Sequence, residues 1–348
     1  MGEQPVSIDS KVAALRQPAA YPGSPDTVEV IETHMSWVFL AGPTAYKLKK
    51  PVHYGRLDFR TLEARRFFCM EELRLNRPLA ESVYLDVVAL RVDPAGTLRV
   101  GADGAIVDWL VKMQRLAPEL MLDRMLDDGT AGAEHLRGIA ARLAAFYRTL
   151  PPAGVDRGQY LNRLAGEIDE CERELCDPVF DLEVEPVRSL CARLRCVLGQ
   201  RAELFGARVA AGRIVEGHGD LRPEHIYLGT PPAIIDRLEF SAELRTLDIV
   251  DEMGFLAMEC ERLGSPQLGP ILLAAYQELS GDLAGEPLIH FYQSLRACVR
   301  AKVTIWHLRE VRYRDSAKWP ARARQYLGLA ARHMQSCESA LQRCGAGG

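Results

Sequence analysis

The sequence has no run of 18 uninterrupted apolar residues, so a membrane span is not expected. It also lacks a strong charge of either sign. A net charge of −4 over 348 residues gives no electrostatic reason to expect a nucleic-acid or anionic-membrane partner. The opening residues, Met1-Gly2-Glu3-Gln4-Pro5, show no basic region followed by an apolar stretch, so no signal peptide is visible. Nine cysteines, an odd number scattered over a long chain, suit a reducing cytoplasm better than a disulfide framework. Cys171/Cys176 and Cys191/Cys196 lie five apart in helical patterns, which turns each pair of thiols about 140° apart and argues against metal binding. No internal repeat and no long low-complexity tract is present.

What is present is ordinary for a globular protein: 48% hydrophobic and 26% charged residues, on a chain long enough for two lobes. Residues 1–27, rich in Pro, Ala, Gly and Ser, are expected to form a loose arm with at most one short helix. Alternating apolar patterns predict strands over 28–33, 37–41 and 44–50, a helix over 61–80, and further strands over 83–92 and 106–113. From residue 117 onward the pattern is helical, with a stripe of Leu136, Ile139, Leu143, Phe146 and Leu150. A strand–loop–hairpin interrupts it at 214–240, and residues 343–348 should fray. The reading is an α+β chain with a mainly β lobe over 28–116, bearing one helix, and a larger, mainly α lobe over 117–342.

The segment His218-Gly219-Asp220-Leu221-Arg222-Pro223-Glu224-His225 carries the most chemistry. Gly217 and Gly219 permit a tight, irregular loop that presents His218 and Asp220, and Pro223 limits the conformations after it. Residues 226–228 and 233–235 read as the arms of a hairpin, with turn residues between them and Asp236 at its end. This hairpin is expected to bring the carboxylates of Asp220 and Asp236 toward one cleft. Phosphoryl transfer uses such a pair: one carboxylate takes or orients the proton of an attacking hydroxyl, and the other holds Mg²⁺ against nucleotide phosphates.

The segment resembles the kinase catalytic loop, H-R-D-L-x-x-x-N, and its glycine matches the H-G-D-x-x-x-x-N form of the aminoglycoside phosphotransferase family. Ile235-Asp236 resembles that family's metal-binding I-D, and Asp251 resembles its later Asp that braces the catalytic loop. The likeness is strongest to a bacterial subgroup often fused to a P-loop ATPase domain, although no G-x-x-x-x-G-K-[ST] occurs in this sequence. The resemblance implies a two-lobe kinase-like fold, ATP as phosphoryl donor, a divalent cation, and a small-molecule hydroxyl as acceptor.

Along residues 44–50, period-two alternation puts Tyr46 and Leu48 on one face and Ala45, Lys47 and Lys49 on the other. Ala45-x-Lys47 resembles the kinase V-A-I-K strand, which implies that Lys47 meets the nucleotide phosphates, with Lys49 in reserve. Phe68, Leu75 and Leu79 form an apolar helix stripe into which Glu72 falls while Glu71 turns away. An acid on an apolar face needs a partner, so Glu72 is expected to pair with Lys47. The turn at 33–37 has no G-x-G-x-x-G, leaving backbone N–H groups or the Ser36 hydroxyl for a phosphate. By family analogy, residues 106–116 lead into the hinge, where backbone groups pair with adenine and Met113 and Gln114 are the expected contacts.

His225 stands where the motif has Asn, an oxygen ligand for Mg²⁺; imidazole nitrogen suits transition metals better. Three outcomes follow: one metal on Asp236 and the ATP phosphates, a shift toward Mn²⁺, or feeble catalysis, with Glu224 or Glu239 as additional carboxylates. Arg222 stands where protein kinases often carry a Lys and is a candidate to neutralise the transferred phosphate. Tyr292, Arg296 and Arg300, four apart, suggest a helix stripe toward the acceptor and an anionic substrate, while the acidic run at 167–185 would suit a polycation. The rival reading is a nucleotide-binding pseudokinase acting as a regulatory or scaffold module. A protein kinase is disfavoured because no A-P-E or activation segment follows Asp236.

Overall fold

The computed structural model describes residues 6–54, 57–310 and 313–346. The chain divides into two compact units, the first Met1–Leu122 with Glu224–Ala242, the second Asp123–Pro223 with Glu243–Gly348.

The first unit is built on an antiparallel sheet. Its chain order is α1 (Ile8–Leu15), β1 (Val28–Glu32), β2 (Ser36–Ala41), β3 (Thr44–Lys49), the short pair β4 (His53–Tyr54) and β5 (Leu57–Asp58), α2 (Leu62–Ala80), β6 (Tyr84–Val92), β7 (Leu98–Val100) and β8 (Ala105–Gln114). Six of these strands pair in the order β1-β2-β3-β8-β6-β7, which places β8 between β3 and β6. The alternation along β3 sets its two faces. Tyr46 and Leu48 join Phe39, Leu110 and Leu15 of α1 in one core cluster. The other face meets α2, whose Cys69 and Leu73 pack with Tyr84 and Val111.

Within the stretch read as a loose arm, residues 8–15 form α1, capped by the Ser7 side chain, which accepts from Ser10 N. Leu15 is fully buried, a gain of roughly 1.5–3 kcal/mol. Lys11 Nζ donates to Asp108 Oδ2 at 2.8 Å, and Arg65 of α2 reaches the same carboxylate through Nε at 2.8 Å and Nη2 at 3.0 Å. Three charged groups are thus buried together, each carboxylate oxygen satisfied. Residues 1–5 of the arm lie outside the described residues.

The second unit is helical: α3 (Leu122–Asp127) leads into it, followed by α4 (Ala133–Arg148), α5 (Arg157–Leu175), α6 (Val184–Gln200) and α7 (Ala202–Ala210). After β9 (Ile214–Glu216), the hairpin β10 (Ile226–Tyr227) and β11 (Ala233–Ile234) groups with the first unit. The second unit resumes with α8 (Ala242–Arg245), β12 (Thr246–Asp248), α9 (Ile249–Arg262), α10 (Leu268–Ser280), α11 (Glu286–Ile305) and α12 (Lys318–Ala346). A large apolar cluster joins α5, α6, α9, α11 and α12. β9 pairs antiparallel with β12, Asp248 opposite Ile214, and this ribbon carries the chain into the loop at 217–223. Of the expected fraying tail, residues 343–346 continue α12, and 347–348 lie outside the described residues. No helix among the described residues is long and apolar enough to cross a membrane.

Candidate active site

In the first unit, β3 points Lys47 and Lys49 at α2. Lys47 Nζ donates to Glu72 Oε1 at 2.8 Å and to Asp236 Oδ1 at 2.9 Å. Lys49 Nζ donates to Glu72 Oε2 at 2.5 Å and to Glu239 Oε1. Glu72 is fully buried, so each of its oxygens faces one ammonium. Burial alone pushes the Glu72 carboxyl up, yet Lys47 and Lys49 outweigh it and hold the group below its ordinary range. Burial likewise pulls the Lys47 ammonium down, and Asp236, Glu72 and Glu239 reverse that and raise it well above its ordinary value. Lys49 is the more deeply sunk of the two lysines, its side chain 1% exposed against 15% for Lys47.

Asp236 follows β11 with a positive φ of 61°, a left-handed conformation that few residues other than glycine adopt. Several groups pin the backbone there. Asp236 N donates to the Tyr84 hydroxyl at 3.0 Å, Arg237 N to Asn76 Oδ1 at 2.8 Å, and Ile235 N to His225 O at 2.9 Å. The Asp236 side chain is left 44% exposed, open to a ligand on one side. His225 is buried, its Nε2 3.6 Å from Asp236 Oδ2. Met113 pairs with Ala45 on one flank and Tyr84 on the other, and its side chain, like those of Leu116, Tyr227 and Ile235, packs against the cluster of Cys69, Leu73, Tyr84 and Val111. Gln114 N donates to Val83 O at 2.8 Å. Ser36 is buried at the start of β2, its backbone O accepting from Thr33 N at 2.9 Å, so its hydroxyl does not stand on an open surface.

In the second unit the loop after β9 is held by a residue that the sequence reading passed over. Glu252 of α9 accepts from His218 N through Oε2 at 2.9 Å and from Gly219 N through Oε1 at 2.6 Å, and the Tyr147 hydroxyl donates to Oε2 at 2.5 Å. A Cβ on residue 217 would lie 2.5 Å from Glu252 Oε2, and Gly219 has φ 90°; these glycines let the carboxylate approach the backbone. The brace is therefore Glu252 and not Asp251. Neighbouring residues on a helix point about 100° apart, and Asp251 turns to Arg296, which grips it through Nε at 2.7 Å and Nη2 at 2.6 Å. His218 is fully buried, and its Nδ1 accepts from Asp220 N at 3.3 Å. Asp220 is partly exposed, with Arg222 Nε 3.0 Å from Oδ2 and Arg300 Nη1 3.9 Å from Oδ1.

The three residues spaced along α11 do not share one role. Tyr292 is fully buried, its hydroxyl between Tyr160 at 2.9 Å and Asp248 at 3.1 Å, so it is a core hydrogen-bonding group and not an open acceptor contact. Arg296 is taken by Asp251. Arg300 alone points at Asp220.

Solved structures that match nearly the whole chain include two kinases. A choline kinase from Cryptosporidium parvum aligns with TM-score 0.54 at 10% identity, covering 96% of this chain and 97% of its own. A choline/ethanolamine kinase family protein from Mesorhizobium loti aligns with TM-score 0.50 at 16% identity, covering 94% of this chain and 98% of its own. The fold is kinase-like. At these identities the likeness carries the fold alone. In sequence, uncharacterized proteins of Mycobacterium tuberculosis and Mycobacterium bovis are 36% identical over 314 residues, 88% of this chain. The chain spans about 60% of the length of those curated relatives. No family model matches the sequence. Within the kinase-like fold, the β3 lysine, the α2 glutamate and the aspartate after β11 form one ion-paired set in the first unit.

Proposed function

We propose that this protein is an ATP-dependent phosphotransferase that moves the γ-phosphate to a hydroxyl of a small molecule. The reading is carried by one observation, Lys47 Nζ held between Glu72 and Asp236 at 2.8 and 2.9 Å. A lysine fixed by a buried acid presents its charge at a set point, as phosphate binding demands, and electrostatic positioning supplies most of the catalysis of phosphoryl transfer. In this reading Asp220 takes the proton of the attacking hydroxyl, Arg222 meets the transferred phosphate, and His218 supports the loop. Met113 and its apolar neighbours receive the adenine.

The donor set fits a single divalent ion. Asp236 offers a half-exposed carboxylate, and a bound nucleotide brings further oxygens. Such an ion, Mg²⁺ or Mn²⁺, neutralises phosphate charge when bound. The imidazole of His225, 3.6 Å from Asp236, favours Mn²⁺ more than an asparagine would. All nine cysteines are free, in keeping with action in the reducing cytoplasm.

Replacing Asp220 by Asn tests the proposal. ADP release with acceptor should fall by ~10²–10⁴-fold while ATP binding persists. Unchanged turnover would remove Asp220 as base. The same His225 supports a second reading, a nucleotide-binding scaffold without turnover. ATP stabilisation indifferent to Mg²⁺ and Mn²⁺, with no acceptor phosphorylated, would favour it.

A further inference from the structure

Arg300 lies on α11 with its side chain 18% exposed, its guanidinium 5.8 Å from the ring centroid of Tyr326. Two carboxylates stand near it, and both are too far for hydrogen bonds: Glu259 Oε1 is 3.7 Å from Nε, and Asp220 Oδ1 is 3.9 Å from Nη1. Each carboxylate also has a nearer guanidinium. Arg262 Nε is 2.5 Å from Glu259 Oε2, and Arg222 Nε is 3.0 Å from Asp220 Oδ2. The Tyr326 hydroxyl donates to Glu259 Oε1 at 2.7 Å. Arg300 Nε is buried with no hydrogen-bond partner among the described residues. Arg300 is thus poorly matched to either carboxylate. Its side chain hydrogen-bonds Tyr326, yet Nε is unsatisfied and both carboxylates lie beyond hydrogen-bond distance, so donors are left that an incoming oxyanion would satisfy.

We propose that the acceptor is a hydroxyl compound carrying an oxyanion, a carboxylate or a phosphate ester, and that Arg300 receives this group beside Asp220. The inference rests on the phosphotransferase reading above and adds the charge of the substrate. A cationic acceptor would meet the Arg300 guanidinium instead. An anionic one gains a planar donor fork whose helix is anchored in the core through Tyr292, Leu295 and Cys298. Since Arg300 lies one helical turn beyond Arg296, which Asp251 neutralises, the specificity falls to one side chain.

The test is ADP release from Mg²⁺-ATP with three acceptor panels: hydroxycarboxylates such as glycerate and gluconate, a phosphorylated polyol such as glycerol 3-phosphate, and amino alcohols such as choline and kanamycin. We expect turnover with a member of the first two panels. Arg300→Gln should raise the acceptor KM about 10- to 100-fold and leave the ATP KM unchanged, with Arg300→Lys partly restoring it. Melting temperatures of both variants report folding, and the lysine variant keeps the test open if the glutamine variant fails to fold. Turnover confined to amino alcohols would overturn the proposal and leave phosphotransfer standing. So would an unchanged acceptor KM, or a raised ATP KM, which would assign Arg300 to the nucleotide. Binding of ATP with no turnover in any panel would overturn the phosphotransferase reading, and this inference with it.

Discussion

Glu252 holds Gly219 by its amide: Oε1 accepts from Gly219 N at 2.6 Å while the other oxygen is occupied by His218 N. Glutamine at 252 would turn an NH₂ toward one of those backbone donors, leaving a buried N–H unpaired. Glu252→Gln is expected to lower stability by about 1–3 kcal/mol and to speed hydrogen exchange at the Gly219 amide. Asp251→Asn strips Arg296 of its partner but should leave that amide protected. Exchange at Gly219 that responds equally to both variants would show that the brace is not specific to Glu252.

The two lysines of β3 should separate in their effects. Lys49 is 1% exposed and tied to Glu72 and Glu239, so Lys49→Met leaves two acids without their closest cation and is expected to cost about 3–5 kcal/mol in urea unfolding. Lys47→Met leaves Glu72 still paired with Lys49, and its main effect should be at least about a tenfold loss of ATP affinity, read by titration calorimetry. Equal stability losses in the two variants would argue that Lys47 is structural too. Glu72 is held below its ordinary 4.5, so its contribution is complete above that value and is lost as pH falls through the lowered one. The acid limb of the stability profile should therefore flatten in Glu72→Gln.

Asp108 binds α1 and α2 to the same strand through Lys11 and Arg65. Asp108→Asn leaves two buried cations poorly matched, and a loss of about 3–5 kcal/mol is expected by chemical denaturation. Lys11→Met should cost less, because Arg65 keeps two contacts with the carboxylate. A truncation removing residues 1–16 should cost more than Lys11→Met, since it also uncovers the cluster around Leu15.

His225→Asn exchanges an imidazole nitrogen for an amide oxygen beside Asp236. If a cation is shared there, ATP-dependent stabilisation should shift from Mn²⁺ toward Mg²⁺, measured as the difference in melting temperature with each ion. An unaltered preference would mean that His225 does not face the ion.

Much of the first unit was legible because strand alternation is a strong constraint. Putting Tyr46 and Leu48 on one face sends Lys47 and Lys49 to the other, and an acid at an apolar helix position then has few partners to choose from. The hairpin before Asp236 was readable from its turn residues. The choice between Asp251 and Glu252 was not, because both are acids on one helix and the outcome depends on how that helix is rotated against the loop. The stripe at Tyr292, Arg296 and Arg300 followed from helical spacing, but spacing gives a shared face and not the neighbours. Tyr160, Asp248 and Asp251 claimed two of the three. The Lys11–Asp108 pair spans 97 positions, so nothing local could disclose it.

The left-handed backbone at Asp236 sets a limit on improving this protein. Glycine there would remove a conformational penalty of order 1 kcal/mol but leave Lys47 with Glu72 alone. Asp236→Asn keeps an oxygen for Lys47, so selection for thermal tolerance alone should recover Asp236→Asn ahead of Asp236→Gly. Under the proposed function, these same variants forfeit the ion-holding carboxylate. A library screened by heat and one screened by phosphotransfer would then diverge at this single position, an opposition between durability and activity written into one φ angle.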